Sequence, residues 1–180
     1  PIIFDVKCSQ ALPHAITEAG GTPVMWKTGH SLIKEKMKEM HAPLAGEMSG
    51  HMFFTEGFYG HDDALYGAAR LLRIVADSGK SVQALLADVP KFVSTPEIRI
   101  EVDEEKKFGL VDEAVRHFRA KYDVVDVDGV RVLFGDGWGL IRASNTQPVI
   151  VARYEARTPE RLVAIRGEME GWLKERGVRI

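Results

Sequence analysis

Cysteine is nearly absent: Cys8 is the one thiol among 180 residues. It cannot form a disulfide within the chain, and a lone thiol fits a reducing compartment, which predicts a cytoplasmic protein. No apolar run approaches the ~20 residues that a bilayer-spanning helix needs, and no signal peptide is present, so no membrane partner is expected. Neither sign of charge dominates. Lys and Arg number 24 against 26 Asp and Glu, for a formal net charge of −2. No basic field therefore recruits nucleic acid or an anionic surface. Repeats and low-complexity segments are missing. So is an initiator Met: the chain opens Pro1-Ile2-Ile3-Phe4 and reads at once as a buried strand. Native N-termini are usually exposed and tolerant, so the sequence is expected to be a piece of a longer chain.

What is present is ordinary globular composition, with 45% hydrophobic and 28% charged residues. The length fits one large domain or two small ones, and a compact chain of this size buries roughly 70% of its unfolded surface. The first half alternates strands and helices. Ile2 to Val6 and Pro23 to Trp26 read as strands, with a helix after Ser9 between them. Ser31 is expected to cap a second helix with Leu32, Ile33, Met37 and Met40 on one stripe. Leu44-Ala45 and Met52 to Phe54 are short strands around a polar turn. A long helix follows Asp62, with Leu65, Ala69, Leu72 and Val75 expected to face inward. This pattern predicts an α/β domain over residues 1–90, with a mostly parallel sheet and helices on both faces.

Near Pro90 the pattern changes. Residues 91–96 are expected to be a hinge, because Pro96 disfavours helix at Thr95. Ile98, Ile100 and Val102 alternate as a strand. Phe108, Val111, Val115, Phe118 and Tyr122 make a helical stripe. Strands cluster from Val124 to Ala156, with Asp128-Gly129 as a hairpin signal. Pro159 opens a last helix carrying Leu162, Ile165, Met169, Trp172 and Leu173. Residues 97–180 are thus expected to form a smaller α+β domain, an antiparallel sheet with helices on one side.

Four segments carry chemistry. Arg142-Ala143-Ser144-Asn145-Thr146-Gln147-Pro148 is a loop between apolar strands. A planar guanidinium, small hydroxyl and amide donors, and backbone N–H groups suit a phosphate, and no acidic residue intrudes. The same residues would also serve a plain polar turn that bonds its own backbone. In Gly46-Glu47-Met48-Ser49-Gly50-His51, Glu47 can accept from two sugar hydroxyls and Ser49 can donate or accept. His51 could act as acid or base, and the alternative is a tight turn with incidental polarity. No metal site is expected, because Glu47 and His51 lack a third ligand. Lys7 and His30 follow the first two strands, where α/β folds place ligands. Read singly, they are a solvated lysine and a helix-start histidine. Cys8 has no base beside it and reads as packing.

The motifs DVKCS at 5–9, WKTGHS at 26–31, GEMSGH at 46–51, STPEI at 94–98 and WGLIRASNTQP at 138–148 resemble the bacterial phosphomannomutase/phosphoglucomutase family of the α-D-phosphohexomutase superfamily. The resemblance runs in order over nearly the whole chain. It implies most of the third and all of the fourth of four domains around a cleft. By that resemblance Glu47 and Ser49 bind sugar hydroxyls, and Lys7 and His30 line the site. Arg142, Ser144, Asn145 and Thr146 hold the phosphate that is not being transferred, with Arg153 beside them, and His51 is a candidate for proton transfer.

The departures carry equal weight. The family's catalytic phosphoserine lies in a TASHNP-like loop of the first domain, and its Mg²⁺ site lies in a DGDGDR-like loop of the second. Neither motif occurs here. The resemblance implies a parent isomerase, magnesium-dependent and activated by glucose 1,6-bisphosphate, that interconverts mannose or glucose 1-phosphate and 6-phosphate. Its domains 1 and 2 are the expected partners of this chain, which alone is expected to be inactive. Two other readings remain at this stage. One is a stand-alone sugar-phosphate binding module. The other is a phosphoglucosamine mutase fragment, although those enzymes favour GEQSGH where this chain has Met48.

Overall fold

The computed structural model describes residues 1–180. The chain divides into two compact units, Pro1–Pro90 and Lys91–Ile180. No helix is long and apolar enough to cross a membrane.

In the first unit, β1 (Ile2–Asp5), β2 (Pro23–Trp26), β3 (Leu44–Gly46) and β4 (Met52–Phe54) form one sheet in the order β2-β1-β3-β4. β1 runs parallel to β2 and β3, while β4 returns antiparallel to β3. The alternation of side chains along a strand sends Ile3 to one face and Ile2 and Phe4 to the other. Ile3, Ala45 and Phe53 pack against Ile33 and Met37 of α2 (His30–Met40). Phe4 packs against Cys8 and against Ile16 of α1 (Ala11–Glu18). Helices therefore cover both faces, as alternating strand and helix patterns require.

Two local expectations are corrected here. α2 starts at His30, so Ser31 lies inside it and Gly29 is its N-cap. The apolar stripe of α3 (Ala64–Ser78) does not face inward: Leu65 is 84% exposed and Leu72 is 69% exposed. α3 is nevertheless well begun, because the Asp63 side chain accepts from the backbone N–H of Tyr66 at 2.8 Å. A short α4 (Val82–Leu85) follows, capped in the same way by Ser81.

The second unit is an antiparallel sheet. Its path runs β5 (Val93–Ser94), β10 (Val149–Ala156), β9 (Gly137–Ala143), β8 (Val130–Leu133), β7 (Asp123–Val125), and β6 (Ile98–Glu101) also pairs with β10. β5 belongs to the segment expected as a hinge. Ser94 pairs with Glu155, and the N–H of Thr95 donates to Tyr154 O at 2.9 Å, so Val93 to Thr95 in the middle of that segment are tied to β10. One face of the sheet carries Val130, Val132, Ile141, Ile150, Ala152 and Tyr154. It packs against Val111, Ala114 and Phe118 of α5 (Lys107–Arg119) and against Ile165, Met169 and Leu173 of α6 (Pro159–Glu175). Phe118 is fully buried, and truncating a core phenylalanine to alanine costs about 3–5 kcal/mol. Phe108 leaves the expected stripe and is half exposed.

Candidate functional site

In the first unit the chemistry gathers at the carboxyl edge of the parallel strands. Asp5 lies opposite Trp26 and Phe4 opposite Gly46, so the segments that follow all three strands leave the sheet on one side. Asp5 organises them. Its carboxylate is fully buried, and Oδ1 accepts from the backbone N–H of Lys7 at 3.2 Å, from Cys8 Sγ at 3.2 Å and from the backbone N–H of Met48 at 3.4 Å. Lys7 Nζ stands 3.7 Å from Oδ2 of the same group and is itself nearly buried. The Asp5 carboxylate thus ties the end of β1 to the turn between β3 and β4.

That turn holds Glu47, Ser49 and His51. The N–H of Glu47 donates to His51 O, and that of Gly50 to Glu47 O, both at 2.9 Å. Glu47 is buried, and its Oε1 accepts from the N–H of Gly29 at 2.8 Å. A carboxylate at this place favours the positive end of α2, and it leaves Oε2 for another donor. His30 is the first residue of that helix and is exposed; Ser49 is exposed in the turn. His51 Nδ1 lies 2.5 Å from Asp62 Oδ2. A carboxylate beside Nδ1 favours the tautomer with its proton there.

In the second unit the loop between β9 and β10 is closed by Ser144 N–H to Val149 O at 3.0 Å and Val149 N–H to Gln147 O at 2.8 Å. Ser144 is buried and its Oγ accepts from the Thr146 N–H at 3.3 Å, while Asn145 and Thr146 are exposed. Arg142 stands at the foot of the loop, buried, and its Nε donates to Asp128 Oδ2 at 2.9 Å. The far end is pinned twice. Lys107, 1% exposed, donates from Nζ to Gln147 O at 2.9 Å and pairs with Glu104, and Arg99 donates to the Gln147 amide oxygen. Arg153 pairs with Leu140 across β9–β10, and Arg142 with Val151, so both arginines lie on the sheet face opposite α5 and α6.

The structure thus links Lys7 to the Glu47 turn and Glu47 to the residue before His30. It sets Arg142 and Arg153 on one sheet face. Sequence reading passes over Asp5, Asp62, Lys107 and Asp128. Asp5 carried a legible signal, a carboxylate closing a buried strand inside the DVKCS motif. The other three act through partners that only the fold brings near. No group of three or more His, Cys, Asp and Glu side chains comes together in the fold to hold a metal ion.

Residues 1–92 match the family model described as phosphoglucomutase/phosphomannomutase, alpha/beta/alpha domain III, and residues 97–171 match the one described as phosphoglucomutase/phosphomannomutase, C-terminal domain. A phosphomannomutase/phosphoglucomutase of Pseudomonas aeruginosa is 50% identical over 174 residues, which is 96% of this chain and 38% of that protein. A phosphoglucomutase of Neisseria meningitidis serogroup A is 44% identical over 172 residues, 94% of this chain and 37% of that one. The crystal structure of a phosphoglucomutase/phosphomannomutase family protein from Burkholderia thailandensis matches with a TM-score of 0.83 at 46% identity, covering 97% of this chain and 37% of that one. The chain therefore spans well under half the length of these relatives.

Proposed function

The chain belongs to the phosphoglucomutase/phosphomannomutase family, and from that premise we propose that it is the substrate-recognising part of an enzyme that interconverts hexose 1-phosphates and hexose 6-phosphates. Glucose and mannose phosphates are the substrates this reading favours, in keeping with the names of the two relatives. The observation that carries it is the foot of the 142–146 loop. A buried guanidinium is held at Nε, which leaves its Nη groups for an anion, and small hydroxyl and amide donors follow it.

A hexose phosphate offers ring hydroxyls and a phosphate, and each unit carries chemistry for one of them. In the second unit, Arg142, Ser144, Asn145 and Thr146 take the phosphate that is not being transferred, with Arg153 adding charge on the same sheet face. In the first, Glu47 Oε2 and Ser49 bond sugar hydroxyls, and Lys7 and His30 line the approach. His51, its Nδ1 proton held by Asp62, gives or takes a proton at Nε2. Phosphoryl transfer depends on in-line positioning and on stabilising charge on the moving group. In the whole enzyme a phosphoserine donates the phosphoryl group, and magnesium supplies charge stabilisation there. Glucose 1,6-bisphosphate is the two-ended intermediate and activator. The sequence of this chain holds no TASHNP-like or DGDGDR-like loop, so its own residues bind and orient the sugar phosphate without transferring the phosphoryl group.

The test is a titration of the chain with glucose 6-phosphate and glucose 1-phosphate, followed by amide NMR, beside a mutase assay with magnesium and glucose 1,6-bisphosphate. Binding on the order of millimolar is expected from so few contacts, with shifts at 46–51 and 142–147 and no turnover. Turnover by the chain alone would overturn the division of labour. Unshifted amides in both loops at tens of millimolar ligand would overturn the recognition role.

A further inference from the structure

We infer that Asp128 is a positioning residue for phosphate recognition, which sets the plane of Arg142 so that its Nη edge faces the anion. This rests on the reading of residues 142–146 as a phosphate loop. Asp128 sits fourteen residues before Arg142, in the turn between β7 and β8. Its Oδ2 accepts from Arg142 Nε at 2.9 Å, with the Arg142 side chain 8% exposed and that of Asp128 14% exposed. Nε is the donor nearest the stem. Engaging it fixes the last torsions of a long side chain and leaves the opposite, two-pronged edge of the fork for bidentate contact.

A second observation shows that this carboxylate stands on fixed ground. Val130 pairs with Ile141, which brings the next residue of the turn, Gly129, against Arg142. Gly129 has φ +82°, and a Cβ there would lie 2.4 Å from Ile141 O and 2.7 Å from Arg142 Cα. The turn backbone therefore rests directly on the root of Arg142. The residue before it has little room to drift, and the distance from carboxylate to guanidinium is set by the β8–β9 register.

The charge of Asp128 works against its geometry. A carboxylate beside the guanidinium repels a phosphate and offsets part of the attraction of Arg142. If charge alone mattered, removing Asp128 would tighten binding. If positioning decides, removing it makes the ligand pay the rotamer cost of ordering Arg142, typically a few-fold in affinity. The cavity lined by Asp112, Arg116, Asp126, Asp128, Ala143 and Asn145 points the same way. Its three carboxylates outnumber its one guanidinium and disfavour an anion, so the phosphate belongs at the Nη edge and not beside Asp128.

The test measures affinity for inorganic phosphate and glucose 6-phosphate by NMR at low ionic strength, with the Arg142 Nε–H signal as a second readout. Asp128→Asn keeps an acceptor of the same shape without the charge and is expected within twofold of the parent chain. Asp128→Ala is expected to bind about fivefold more weakly and to lose the shifted Nε–H signal. In an Arg142→Ala background, Asp128→Ala should add nothing. Amides of the Val130–Ile141 pairing report whether the hairpin is intact in each variant. Asp128→Ala binding as tightly as the parent, or more tightly, overturns the inference while the loop reading stands. A loss that persists in the Arg142→Ala background does the same. Unchanged binding in Arg142→Ala alone overturns the loop reading and the inference with it.

Discussion

Single residues here answer to partners far away in sequence, and His117 shows how such partners set a titration. It lies half-buried on α5 with its ring against Phe118 and Trp172, and Lys121 Nζ is 3.4 Å from its Nε2. Burial first, then the charges of Lys121 and Arg176, hold its pKa below the ordinary 6.5, against the smaller opposing pull of Glu175 and Glu113. A histidine of lowered pKa binds fewer protons folded than unfolded. Above pH 6.5 both states are neutral there and the group has no effect on stability. As pH falls through 6.5 the unfolded chain takes up a proton that the folded chain refuses, and stability drops until the folded value is passed. The carboxylates of Asp126 and Asp136, held down by Arg119 and Arg161, act in a separate window below 3.8, where their pairing is lost. Urea unfolding between pH 7.5 and 5 should therefore show a falling midpoint, and His117→Gln should flatten that slope. An unchanged slope in the variant would assign the effect to other groups. The signs of these pairings were absent from the sequence. Met48 reaches Asp5 across 43 positions and Arg142 reaches Asp128 across 14. A one-dimensional reading finds the loops but not the carboxylates that hold them.

Elements were far more legible, because periodicity is local and packing merely selects among the patterns it allows. The strand read at Val149 to Ala156 and the stripe of Ile165, Met169, Trp172 and Leu173 reappear as β10 and α6, with all of these side chains but Arg153 buried. What periodicity could not give is the closeness of approach. β9 carries glycine at 137 and 139, where a strand would ordinarily gain from a side chain. A Cβ on Gly139 would lie 2.1 Å from Met169 Sδ and 3.0 Å from the Tyr154 ring. α6 therefore packs into a space that glycine leaves open. Gly139→Ala is expected to cost about 1–3 kcal/mol by overpacking. Met169→Ala vacates the same space and costs about 2–5 kcal/mol alone. The double variant should be more stable than the sum of the two by roughly 1 kcal/mol or more, because one change relieves the other. Strict additivity in chemical denaturation would mean that α6 simply shifts to admit the methyl group. The helix N-termini were legible in part. Thr158 and Ser81 cap α6 and α4 with side chains of the type that favours that place, whereas the N-cap of α2 is Gly29, whose N–H is met by Glu47 from another element.

At the scale of the whole molecule, one amphipathic element lacks its apolar counterpart. The stripe of α3 reads in the sequence like any core-facing helix, and sequence cannot say what covers it. In the fold, Leu65, Leu71, Leu72 and Ile74 are exposed, and Val82 and Leu86 of the α4 region are exposed as well. The two faces of the sheet are covered by α1 and α2, and α3 rests on β4 and the loop after it, with Tyr66 edge-on to Phe54 at 5.3 Å and stacked on Phe58 at 4.1 Å. Contiguous exposed leucines of this kind are uncommon on monomeric surfaces and favour association. The chain is accordingly expected to self-associate reversibly as its concentration rises, and sedimentation velocity over a hundredfold range would reveal it. Leu65→Lys combined with Leu72→Lys adds two like charges to the stripe and touches neither buried cluster of the first unit. That variant should sediment as a monomer with an unchanged unfolding midpoint. A parent chain that stays monomeric throughout, or a variant that associates as the parent does, would show that the α3 stripe is not the adhesive surface. A variant with a lowered midpoint would show instead that Leu65 and Leu72 contribute to folding despite their exposure. The hydrophobic effect scales with apolar area removed from water. Side chains that remain so exposed have little such area to lose, so association and folding should separate cleanly at this helix.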